Sequence, residues 1–160
     1  MVLFTLQTFA QLNGTKKDVF FILSEFKVKD VRTNGIDYTK KALEGENNLF
    51  FYKDNETNEV LFSNYWKKTA SQSYGPIYNL EFKYFKETYE NYEREEYKFK
   101  WSYKNTYEEK VGTCDADLFL EYKPMGIYFD LKLIAENLDE LHYRGEFNGT
   151  MSYIKHLLNK

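Results

Sequence analysis

From Glu96 to Lys104 every second residue is aromatic: Tyr97, Phe99, Trp101 and Tyr103 alternate with Lys98, Lys100 and Ser102. A period of two places one set of side chains on one face of an extended chain, so this stretch reads as a strand with a single buried face. Aromatic residues suit that pleated, half-buried surface. The same period recurs in Tyr78, Leu80, Phe82 and Tyr84, separated by Asn79, Glu81 and Lys83. Joined through 87–95, the two runs form a long antiparallel hairpin. Chemistry suggests a register that pairs Tyr78 with Tyr103, Leu80 with Trp101, Phe82 with Phe99 and Tyr84 with Tyr97. Glu81 then meets Lys100 on the opposite face, a favourable cross-strand pair. A one-residue slip would mix the faces.

Similar patterns extend along the chain. Leu49–Tyr52 and Val60–Phe62 flank a polar turn at 54–58. Ile127, Phe129, Leu131 and Leu133 alternate with polar positions, as do Leu141, Tyr143, Gly145 and Phe147 after a bend at 136–140. Asp117–Tyr122 is a further strand, ended by Lys123-Pro124, and Phe20–Val28 another. Residues 2–12 read as the hairpin partner of that strand across Asn13-Gly14, or as a short helix; the strand is favoured. Helices are expected at about 37–44, between Asp37 and Gly45, and at about 150–158, where Met151, Ile154 and Leu157 share one face. The expected fold is mainly β, an antiparallel meander of about eight strands forming a barrel or a sandwich, as one domain over 1–160. Closure would hide the sheet edges most completely.

Composition narrows the function more by exclusion than by assignment. A chain of 160 residues can build a core without staples, and its single cysteine forms no internal disulfide. A net charge of −3, with acids and bases interspersed, does not suit a protein that coats nucleic acid. No run is apolar enough for a membrane helix, and the first residues lack the basic region of a signal peptide. A cytoplasmic location is expected, and the Asn-x-Ser/Thr sequons at Asn13, Asn55 and Asn148 read as chance. Abundant Lys, Asn, Phe and Tyr point to an AT-rich genome, such as that of a low-GC bacterium or its phage.

Catalytic and metal-binding motifs are absent from the sequence, with no phosphate-binding glycine loop, nucleophile elbow or zinc spacing. His142 reads as outward-facing on a strand and His156 as exposed on the terminal helix. Asp115 beside Cys114 disfavours a reactive thiolate. Asp115 and Asp117 share a strand face, but two ligands are too few for a cation site. The reading leans away from an enzyme and assigns no cofactor and no metal.

The stretch Glu87–Glu96 carries five glutamates and two tyrosines at the hairpin tip. The expectation is a non-enzymatic protein-binding module, an inhibitor or accessory factor. It would use Tyr89 and Tyr92 as anchors, with Glu90, Glu93 and Glu95 steering a partner that has a basic surface, such as that of a nucleic-acid-binding protein. Trp66, beside Lys67 and Lys68, is a candidate surface anchor. The alternative is a barrel that encloses a small ligand among its aromatic residues. A core filled by Phe82, Phe99, Trp101 and Leu131 would count against it.

Overall fold

The computed structural model describes residues 21–54, 57, 59–87 and 92–148. The segments 2–12 and 150–158 lie outside the described residues, and with them the strand-or-helix question and the terminal helix. Strands β1 (Phe21–Thr33), β2 (Ile36–Asp37), β3 (Asn47–Lys53), β4 (Val60–Trp66), β5 (Ser71–Glu87), β6 (Tyr92–Asn105), β7 (Val111–Lys123), β8 (Gly126–Ala135) and β9 (Glu140–Asn148) are accompanied by helix α1 (Thr39–Glu44) and a 3-10 turn at Lys67–Thr69. All pairings are antiparallel. β1 and β3 to β9 follow one another around the sheet, and β9 pairs back onto β1. The meander is therefore a closed eight-stranded barrel and not a sandwich.

Closure requires β9 to come close to β1, and Gly145 permits it. A Cβ at Gly145 would lie 2.0 Å from the Lys27 carbonyl oxygen and 2.9 Å from the Phe129 ring. The missing side chain is what lets Phe129 lean across the seam. A bulge in β1 between Val28 and Asp30 keeps both Val28 and Val31 buried against β9. At the far end of β1, Asn34 and Gly35 both take positive φ, 49° and 80°, in a two-residue turn to β2. That is the geometry Asn-Gly favours. Asn34 also accepts a hydrogen bond from the Glu140 N–H at 2.7 Å, fastening this turn to the start of β9.

The interior is filled by the barrel's own rings. Phe26 meets Phe51, Phe129 and Phe147 at centroid distances of 5.6, 5.0 and 5.0 Å. Phe51 meets Phe62 at 5.0 Å, and Phe62 meets Trp101 edge-on at 5.0 Å. Trp101 donates its indole N–H to the Phe62 carbonyl at 3.1 Å, satisfying a polar atom that packing alone would strand. Leu118, Leu131 and Leu133 complete the packing with no exposed surface.

Near α1 the interior turns polar. Asn47 donates to Asn64 at 2.6 Å, and Asn64 donates to the buried Tyr143 hydroxyl at 2.9 Å. Helix α1 begins two residues later than expected, with Tyr38 and not Asp37 at its N-cap; Asp37 belongs to β2, and its carboxylate accepts the Thr39 N–H at 2.8 Å. Gly45 ends the helix in a right-handed conformation, φ −77°. Gly45 is required here for space: a Cβ there would lie 2.6 Å from the Trp66 ring. Trp66 is half-buried against the core and is no surface anchor.

Candidate functional site

β5 is 17 residues long and its neighbour β4 only seven. The last β4–β5 pair is Leu61 with Pro76. From Ile77 to Glu87, β5 pairs on the β6 side, and no described strand pairs with its other edge. Pro76, without an N–H to donate, marks where the pairing stops. β5 thus outlasts β4 on one side, while on the other side β6 stays paired with β7 as far as Glu93 with Tyr122.

Its register differs from the chemical matching of the two runs. Tyr78 pairs with Lys100, and after a bulge Glu81 pairs with Lys98 and Phe82 with Tyr97. The bulge holds Asn79 and Leu80 opposite the single residue Phe99, and Asn79 takes φ +53°. One extra residue flips the faces, so Ile77 points inward beside Trp101 while Tyr78 turns outward, 40% exposed. Lys100 does not take Glu81 as partner: its ammonium bonds Asp115 at 2.7 Å. With Lys98 on Asp117 at 3.4 Å, the Asp115/Asp117 pair is a salt-bridge ladder on the outer wall.

The expected docking residues separate in the structure. Tyr89 and Glu90 lie outside the described residues, and Tyr92 opens β6 opposite Glu87. Strand β6 starts before the expected tip has ended, and its alternation carries Glu93 and Glu95 onto the same face as Tyr97. Glu93 is half-buried and takes the Lys86 ammonium at 2.5 Å. Glu95 is only 3% exposed and accepts the Tyr97 hydroxyl at 2.7 Å, so it is not placed to steer an approaching partner. Among the described residues the buried Tyr122 hydroxyl has no hydrogen-bond partner. Burial pushes both Tyr97 and Tyr122 far above the ordinary tyrosine range, and the Glu95 charge adds to it. The aromatic surface falls instead on Tyr84 and Phe85, 47% and 45% exposed. The sequence held that signal: two adjacent aromatics cannot both face inward from one strand.

Other groups are accounted for structurally. Burial, then the Asp115 charge, raises the Cys114 thiol to about 11, which keeps it protonated and inert. His142 points outward, its Nε2 2.6 Å from Asp130, which also takes Arg144 at 3.0 Å. An outer groove of about 520 Å³ runs between Phe119 and Tyr128, with Lys29, Arg94 and Arg144 along it. Each of these cations has an acid beside it: Glu146, Glu96 and Asp130 respectively. The groove therefore carries no surplus positive charge for an anion. Among the described residues there is no cluster of metal-ligating side chains, and no helix is long and apolar enough to cross a membrane.

These features define a closed antiparallel β-barrel in which β5 runs on past its neighbour β4. No family model, curated protein or solved structure matches the chain.

Proposed function

We propose that this protein is a non-enzymatic binding module that docks on another protein through the end of the β5–β6 hairpin. The observation that carries the reading is the length mismatch between β5 and β4. It carries Tyr84 and Phe85 past the end of β4, with large aromatic surface left in water. Exposed aromatics are the usual anchors of a protein interface. The steering charge is reduced from the sequence expectation to Glu87 and Glu90, since Glu93 is paired and Glu95 buried. A basic partner still fits this hairpin, and a role as inhibitor or accessory factor follows from binding without chemistry.

Docking is favoured over enclosure of a small ligand because Phe99, Trp101 and Leu131 are buried in mutual packing, with Phe82 half-buried beside Tyr97. The test is capture of partners from lysate of the source organism, with wild type and a Tyr84→Ser/Phe85→Ser/Tyr89→Ser/Glu90→Gln variant side by side. A protein held by wild type and lost by the variant, at unchanged thermal stability, supports the reading. Equal capture by both, or loss of the fold, returns the hairpin to a structural role.

A further inference from the structure

Residues 136–138 join β8 to β9 in a three-residue turn. Leu138 donates its N–H to the Ala135 carbonyl at 2.9 Å, and the Ala135 N–H donates to the Asp139 carbonyl at 2.9 Å. In such a turn the third residue takes a left-handed conformation, and glycine is its usual occupant. Here that residue is Leu138, at φ +66°. The other described residues at positive φ are glycine, asparagine, glutamate or alanine, so Leu138 alone brings a large apolar side chain to this conformation. That side chain is also 81% exposed. Leucine at this position therefore strains the backbone and recovers little by packing. The turn is nonetheless firmly held. The Asn34 and Asn137 amides donate to the Asp139 carboxylate at 2.9 and 2.6 Å. The first of these bonds ties it to the Asn34-Gly35 turn, whose next residue, Ile36, is 63% exposed. Two large aliphatic side chains thus stand in water on one rim. This rim lies at the other end of the barrel from Tyr84 and Phe85, because β6 starts beside Tyr122, and Tyr122 pairs with Ile127 at the start of β8.

We infer that this rim is a docking surface for a partner protein that offers an apolar pocket bordered by lysine or arginine. Leu138 and Ile36 call for the pocket, and the charges beside Leu138 call for the border. Glu136 takes the Thr113 hydroxyl and Asp139 takes the two amides, and among the described residues neither carboxylate forms an ion pair. Glu140, by contrast, is neutralised by Lys132 at 2.7 Å. The amide bonds hold the Asp139 carboxyl below its ordinary range, so its charge is present at neutral pH. Uncompensated acids on both sides of the leucine disfavour an anionic membrane surface. A second copy of this chain docking rim to rim would set acid against acid. A basic border on a different protein meets the charge and the apolar surface together. Because the turn is already ordered, binding through it forfeits little conformational freedom. The inference goes beyond docking through the β5–β6 hairpin and does not rest on it. With both surfaces in use, the barrel would bridge two partners.

Two measurements on the full chain test it. The first is thermal unfolding of Leu138→Gly beside wild type. Glycine adopts this φ without strain, so the variant should melt at the wild-type temperature or above it. A clear fall in melting temperature would give Leu138 a structural role and overturn the inference. The second is quantitative capture from lysate of the source organism, at low and at raised salt. Wild type is compared with Leu138→Gly/Ile36→Ser, with Glu136→Gln and with Tyr84→Ser/Phe85→Ser, each checked for an intact barrel by circular dichroism. The expected result is a protein that wild type holds and Leu138→Gly/Ile36→Ser holds about tenfold less or worse. Glu136→Gln and raised salt should each weaken the same capture more modestly, as a basic border requires. Tyr84→Ser/Phe85→Ser should leave it unchanged. Capture that no rim substitution weakens overturns the inference, and so does capture indifferent to both salt and Glu136→Gln. A protein lost only with Tyr84→Ser/Phe85→Ser supports hairpin docking and counts against the rim, so the two readings can fail separately.

Discussion

Strands β4 and β5 lie side by side, yet they are opposite kinds of strand. β4 has seven residues, and Leu61, Phe62, Ser63 and Asn64 are buried in succession, so the strand is covered on both faces. β5 begins in the same environment, with Gln72 and Gly75 buried, and then loses cover until every residue from Lys83 to Glu87 is exposed. The same sheet thus contains a strand held by packing on both faces and, at the end of β5, a stretch whose own side chains are exposed. Substitutions in the first should cost stability, and substitutions in the second should cost recognition.

Alkaline titration should separate the two regions most sharply. Tyr52, Tyr97, Tyr103, Tyr122 and Tyr143 all have pKa values raised by burial, Tyr143 to about 12, and Cys114 is raised to about 11. On unfolding they would return to ordinary values near 10.0 for tyrosine and 9.0 for cysteine. Above those values the unfolded chain releases protons that the folded chain keeps, so stability falls as pH rises. The contribution is intact below about pH 9 and is lost progressively as pH climbs toward the folded values. Tyrosinate absorbance should show exposed residues such as Tyr107 titrating first. Tyr52, Tyr97, Tyr122 and Tyr143 should follow only with loss of ellipticity; their titration in an intact barrel would refute the burial assignment.

Among core substitutions, Phe62→Ala should cost about 3–5 kcal/mol in denaturant unfolding, because its ring contacts both Phe51 and Trp101. Gly145→Ala should cost about 3 kcal/mol, at the upper end for overpacking, since the new methyl meets a main-chain oxygen on β1. A cost below about 1 kcal/mol there would mean that the seam is looser than it looks. Tyr143→Phe removes the acceptor for Asn64 and should cost about 1–3 kcal/mol. At the bottom of the scale, Tyr84→Ser with Phe85→Ser should change stability by no more than about 0.5 kcal/mol per site. A larger loss would place the hairpin within the folding core and weaken the comparison.

The sequence was legible wherever alternation was uninterrupted. The 49–66 and 125–147 hairpins, the 117–122 strand and the first helix all appear, because one buried face imposes a period of two and Gly45 closes helix α1, although its N-cap is Tyr38 and not Asp37. The β5–β6 register was not legible. Matching aromatic to aromatic assumes that both strands advance in step, and the bulge at Asn79 and Leu80 breaks that step without a proline or glycine at either position. Glu93 and Glu95 were misplaced for a related reason: charge suggested a solvated tip, but strand pairing with β7 continues through Glu93 and Tyr122. The Asn34-Gly35 turn, by contrast, was a readable signal at the end of β1.

By itself the sequence determined the antiparallel β class, the order of the hairpins and the buried face of the strands whose alternation is unbroken, since these follow from local periodicity and turn chemistry. Only the tertiary structure decided that the sheet closes and that β5 outlasts β4. Closure depends on two strands more than a hundred residues apart approaching within hydrogen-bond distance, at a glycine that looks unexceptional in the chain. The run of β5 past β4 depends on a difference in length between neighbours. Neither quantity is local, so neither leaves a pattern along the sequence.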